Sequence, residues 1–190
     1  MKHQRGFTIA ELIIVVVIAG VLAAIAAPNM SEFVKNNSRA NRVNTMVTAL
    51  NYARGQAVTR NARVSLCRSA GFAGCDGIGT GEFRNGWIVF TDGGVRGQVD
   101  GTDTVLRIFQ PDMGNVATLQ GTNGVIGAIG GLSYESTGLG WDLNPPGGAI
   151  GVSANTVLTY CDDRGATEAR GIVINTTGYP RLTDTGLVCP

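Results

Sequence analysis

Hydropathy changes character three times along the chain. Residues 7–27 are almost wholly apolar, interrupted by Glu11 and softened by Thr8 and Gly20. As a helix rising about 1.5 Å per residue, that run is about 30 Å long, the thickness of a bilayer's hydrocarbon. Pro28 comes next and is expected to kink the helix or open its hydrogen bonding. Over residues 28–61 the pattern becomes amphipathic: Phe33, Ala40, Val43, Met46, Val47, Leu50, Ala53 and Ala57 recur at helical spacing. This predicts a helix ending near Arg60 or Asn61, its apolar face turned to a globular domain. Lys35, Arg39 and Arg42 share a different stripe, while Arg54 falls inside the apolar arc, where a paired or snorkelling side chain is expected. From Val64 the period shifts toward two. Strands are expected at 63–68, 86–91, 104–109, 132–135, 156–161 and 171–175, with glycine-rich punctuation at Gly93-Gly94, 121–131 and 145–148. The fold class is therefore α+β: a long amino-terminal helix on a mostly antiparallel β domain of residues 62–190, one layer each.

Six polar, basic residues, MKHQRG, precede the apolar run. Lys2 and Arg5 favour a cytoplasmic amino end with the rest translocated. A secretory signal peptide has a shorter apolar core and a small-residue cleavage site behind it, which residues 23–27 imitate. A plain membrane anchor accounts for the length but gives no reason for Glu11. A carboxylate in a membrane helix is costly unless it finds a partner, so Glu11 is read as functional.

Composition then narrows the chemistry. Residues 33–75 hold seven basic side chains and no acid; residues 76–190 hold twelve acids and six arginines. The basic segment reads either as a solvated helix face or as a contact surface for other subunits or a polyanion. The one histidine, His3, lies ahead of Phe7, so a chain cut there lacks the commonest general base. Asp162-Asp163 reads as a turn between strands, and no catalytic residue or cofactor is expected. Four cysteines, Cys67, Cys75, Cys161 and Cys189, behind an export element argue for disulfides. Local pairing, Cys67 with Cys75 and Cys161 with Cys189, is expected among the three pairings that four cysteines permit. None of their spacings suits zinc, and no metal site is expected.

Gly6-Phe7-Thr8-Ile9-Ala10-Glu11, the Ile/Val/Ala run and Pro28 together resemble the class III signal of type IV pilins and type II secretion pseudopilins; Ala10 stands where Leu or Ile is more usual. The resemblance implies that a prepilin peptidase cuts between Gly6 and Phe7 and methylates the new amine of Phe7. Glu11 of one subunit would then neutralise the Phe7 amine of its neighbour, fixing register. Leu50-Asn51-Tyr52-Ala53-Arg54, Val64-Ser65-Leu66-Cys67, Gly86-Trp87-Ile88-Val89-Phe90-Thr91-Asp92 and the Cys161-Asp162-Asp163-Arg164-Gly165 stretch are similar to the GspH/FimT family, with the FimT/FimU-like branch favoured.

That resemblance implies three roles. The first is a non-enzymatic minor pilin that enters or primes a type IV pilus, with other minor pilins and the major pilin as partners. The second is a DNA-binding minor pilin for natural transformation. Related DNA binders carry a Gly-Arg-x-Arg-like tail, but here Tyr179 stands at the first Arg of Gly178-Tyr179-Pro180-Arg181. Arg164, Arg170, Tyr179 and Arg181 are the candidate DNA contacts. The third is a pseudopilin of type II secretion. In each case the chain would sit in the bacterial inner membrane, domain outside, before it enters the filament.

Overall fold

The computed structural model describes residues 7–77, 82–111, 117–123, 127–144, 148–152 and 156–189. It divides into two compact units, Met1–Ala40 and Asn41–Pro190.

A single helix, α1 (Ile9–Arg60), supplies the first unit beyond Thr8 and the start of the second. Within the first unit the apolar side chains are open: Phe7, Ile9, Leu12, Val16, Leu22 and Ile25 are each at least 55% exposed. Phe33 and Ala40, expected on the packing face, are exposed as well, so that face begins only at Val43. The helix runs on through Pro28 but bends by 40° between Ile9–Ile25 and Met30–Arg60, as the proline predicts; the Pro28 side chain, like Gly6 and His3, lies outside the described residues. Among the described residues no single helix is long and apolar enough to cross a membrane. Ile9–Ile25 and Met30–Arg60 satisfy the requirement only as a pair.

In the second unit the helical spacing behaves as the pattern predicts. Val43, Met46, Leu50, Ala53 and Ala57 are buried, joined by Ala49. The helix ends where expected, by a Schellman arrangement: Asn61 takes a positive φ of 51°, its N–H bonds Val58 O, and Ala62 N–H reaches back to Ala57 O.

Two antiparallel sheets succeed the helix, rather than the one layer expected. The first contains β1 (Val64–Arg68), β2 (Trp87–Thr91), β3 (Val105–Phe109), β6 (Gly131–Tyr134), β7 (Gly140–Asn144) and β8 (Gly148–Val152), in the order β3-β2-β1-β6-β7-β8. The second contains β4 (Thr118–Asn123), β5 (Gly127–Ala128), β9 (Thr156–Cys161), β10 (Arg170–Ile174) and β11 (Pro180–Thr183), in the order β11-β10-β9-β4-β5. Val64, Leu66, Trp87 and Leu132 of the first sheet share one core with Leu119, Leu158, Tyr160 and Ile172 of the second and with the helix. The opposite face of the first sheet is covered too: Cys67, Ile88 and Phe90 pack under Phe72, Cys75, Val99 and Val105. Double coverage explains why β2, Trp87-Ile88-Val89-Phe90-Thr91, reads as a nearly continuous apolar run. The glycine-rich stretch 121–131, which reads as punctuation in the sequence, contains parts of β4 and β5 and opens β6. At Gly121 a Cβ would sit 2.7 Å from Ile129 and 2.9 Å from Leu158, so the glycine serves close packing inside a strand rather than a turn.

Candidate functional site

The start of α1 is built by a short reciprocal network. Thr8 precedes the first helical residue, and its N–H and hydroxyl both donate to Glu11 Oε2 at 2.9 Å. Glu11 N–H donates in turn to Thr8 Oγ1 at 3.2 Å, and Leu12 N–H closes the first turn on Thr8 O. This is a capping box: the residue before the helix and the third residue within it satisfy one another's orphan donors. The carboxylate also lies at the positive end of the helix dipole. Thr8 was not among the candidate residues, although Thr-x-x-Glu ahead of an apolar run is the pattern that marks such a cap. Phe7, 85% exposed, stands immediately beside this pair, ahead of an exposed apolar helix surface. A carboxylate held at the helix start and an exposed neighbouring residue are thus brought together.

The candidate DNA contacts are spread and largely engaged within the chain. Arg164 donates through Nε and Nη2 to the two oxygens of Asp162, lies 3.8 Å from Glu168, and is 11% exposed. Arg170 pairs with Asp184 at 2.5 Å. The Arg54 guanidinium lies over one face of the Tyr179 ring, 3.9 Å from the centroid, while the side chain stays about half exposed. Arg54 Nε also donates to Gly138 O at 3.2 Å, the paired role expected of a cation in the apolar arc. Arg181 is exposed on β11. Part of the basic segment is consumed internally as well, Arg42 donating to Tyr160 Oη and Arg63 to Asp92 and Gly94 O.

Both expected disulfides are present, Cys67–Cys75 and Cys161–Cys189. Among the described residues no group of His, Cys, Asp and Glu is arranged to hold a metal. Asp92, buried, is a well-connected carboxylate that sequence reasoning missed. It accepts from Arg63, from the Ser65 hydroxyl and from Gly97 N–H, tying β1 to the loop after β2.

With that geometry in place, comparison with known proteins decides the family. The model of the GspH family, described as type II transport protein GspH, matches residues 42–178, most of the chain. The chain belongs to the GspH family. The prokaryotic N-terminal methylation motif matches residues 1–27. Two fimbrial proteins of Pseudomonas aeruginosa are each 39% identical over 64 residues, 34% of this chain and 41% of theirs. The match therefore spans about two fifths of these curated relatives. The crystal structure of the type IV minor pilin FimU of Pseudomonas aeruginosa aligns with a TM-score of 0.54 at 16% identity, covering 80% of this chain and 92% of that one. At that identity the likeness is one of fold: a long helix and antiparallel sheets, α+β as the sequence predicts.

Proposed function

We propose that this chain is a minor type IV pilin, a non-enzymatic subunit that enters or primes a pilus. The observation that carries the reading is the Thr8–Glu11 capping box beside the exposed Phe7, at the head of an exposed apolar helix. A prepilin peptidase cutting between Gly6 and Phe7 would free an amine next to this carboxylate and methylate it. In the precursor, Glu11 is satisfied by its own Thr8. On assembly it exchanges that partner for the Phe7 amine of an adjacent pilin, which neutralises two charges in an apolar bundle together. Before assembly the chain resides in the inner membrane with its second unit outside the cytoplasm; its partners are the other minor pilins and the major pilin. Glu11→Gln keeps a hydrogen-bonding side chain but removes the charge. The variant is expected in membranes at the parental level and absent from sheared filaments, with mass spectrometry showing N-methylated Phe7 at the terminus of the parent. A retained Met1–Gly6 segment in filaments, or normal incorporation of Glu11→Gln, would refute the reading.

A second reading, a pseudopilin of a type II secretion system, is favoured by the description of the matching family as a transport protein. Deletion separates the two: loss of surface pili supports the first, and loss of secreted proteins with normal piliation supports the second. The DNA-receptor alternative draws less support, because Arg164, Arg170 and Tyr179 already have partners within the chain. Phosphate binding depends on local uncompensated cations.

A further inference from the structure

β3 ends the first sheet, so one of its edges meets no strand of that sheet. Side chains alternate across it. Its register with β2 sets Arg107 opposite Val89 and Phe109 opposite Trp87, on the face that carries the core, and Ile108 opposite Ile88 on the other. Arg107 is thus a cation on the inward face of a sheet edge. It stays exposed, its guanidinium carbon 4.8 Å from the Phe109 ring centroid and 5.5 Å from that of Tyr52 on α1. Phe109 is itself stacked on the buried Trp87, 5.9 Å away, so the cation rests on side chains anchored in the core. Among the described residues Arg107 makes no hydrogen bond and no ion pair. Arg63, Arg84, Arg96, Arg164 and Arg170, by contrast, each meet a carboxylate. Contact with a ring satisfies none of the five N–H donors of a guanidinium, which lie in its plane. Beside Arg107, Ile108 is 49% exposed although Ile88, its neighbour across the strands, is fully buried.

We propose that the open edge of β3 docks an extended segment of another protein, one that sets an Asp or Glu against Arg107 and an apolar side chain against Ile108. Recognition is by strand addition: backbone groups bond along the edge, and alternate side chains of the incoming segment are read on the two faces. The carboxylate takes up guanidinium donors in the fork geometry that arginine favours. The register shifts between Val89 and Phe90, leaving Leu106 as an extra residue just before Arg107. A bulge and an inward charge are devices that keep foreign strands off an edge. Here the charge makes the exclusion selective. A wholly apolar strand would cover the guanidinium without a partner, which is costly, and a cationic one would repel it. Charge complementarity therefore names the occupant. Nucleic acid would supply phosphate to Arg107 but no strand for the edge and nothing apolar for Ile108. The proposal goes beyond the pilin reading and holds whether the chain serves a pilus or a secretion system.

The test is an NMR titration of the isotope-labelled full chain in detergent micelles. The probe is the peptide acetyl-Thr-Ile-Glu-Ile-Thr-amide, which reads the same in either strand direction, and its counterpart with glutamine at the centre is the control. The glutamate peptide is expected to shift the amides of residues 105–109 and to bind about threefold or more tightly than the glutamine one, as a partly exposed ion pair does. Arg107→Gln is expected to abolish that preference, and Arg181→Gln, at an exposed arginine of β11, to leave it intact. Arg107→Lys keeps the charge without the fork and is expected to retain part of the preference. Should Arg107→Gln melt below the parent, Arg107→Lys carries the comparison. Equal binding of the two peptides, shifts centred on β11, or no shift at millimolar peptide overturns the proposal. So does a short DNA duplex that moves the β3 amides more than the glutamate peptide does, since that assigns the cation to phosphate.

Discussion

Tyr134 concentrates the energetic logic of the core in one side chain. It is fully buried at the end of β6, and its hydroxyl finds no partner among the described residues. Burial pushes the phenol well above its ordinary value, the field of Arg54 opposes this, and Asp142 adds to it. The neutral form is thus favoured in the folded chain. Below about pH 10, the ordinary phenol value, both folded and unfolded chains hold the proton and the contribution to stability is complete. Above it the unfolded chain releases its proton first, so stability declines as pH rises. Tyr134→Phe is expected to be neutral or stabilising by up to about 1 kcal/mol at pH 7, because it removes an unsatisfied buried hydroxyl. It should also flatten the alkaline decline, as measured by denaturant midpoints from about pH 8 to 11. Asp92 shows the other treatment of a buried polar group. Three donors surround it, including the charged Arg63, so its burial ties strand to loop.

At the level of elements, the second disulfide fastens the carboxyl-terminal tail beyond β11. Cys161 ends β9 and Cys189 lies 28 residues later, so the bond closes a loop containing β10 and β11. Removing it by Cys161→Ser with Cys189→Ser is expected to cost about 3 kcal/mol, read from the shift in urea midpoint under non-reducing conditions. Local pattern also governs how much of the fold the sequence discloses. The strands with β-branched or aromatic alternation, β1, β2, β3, β6, β9 and β10, lie within a residue of where the pattern puts them. β4, with Gly121 and Asn123 in a six-residue strand, resembles turn chemistry and escapes the pattern; so do β7 and β8, which open on Gly140 and Gly148. β11 begins with Pro180 and is short, as an edge strand is apt to be. These strands exist because partners already in place accept them, a tertiary effect that no local pattern announces. The helix start is legible through Glu11 and through the Thr8-x-x-Glu11 spacing ahead of the apolar run. The pairing of Arg164 with Asp162 is local and legible in the sequence, whereas the engagement of Tyr179 depends on Arg54 folding beside it.

For the whole molecule, coverage of the first sheet on both faces sets an order of persistence. β1 has neighbours along both edges, β2 and β6, whereas β3 and β11 each end a sheet. Hydrogen exchange of the native chain is expected to be slowest at Leu66, Val89 and their strand neighbours, near the rate set by global unfolding, and fastest among the edge amides of β11. Comparable protection in β11 and β1 would contradict this. The basic and acidic segments do not oppose this picture, since Arg63 meets Asp92 within the same unit. The short passage from helix to sheet has a mechanical consequence. Only residues 61–63 separate α1 from β1, so tension applied along the helix of an anchored subunit arrives directly at the strand gripped on both sides. Near the far end of that strand Cys67 is bonded to Cys75, so load that reaches it passes through the disulfide and leaves residues 68–74 unextended.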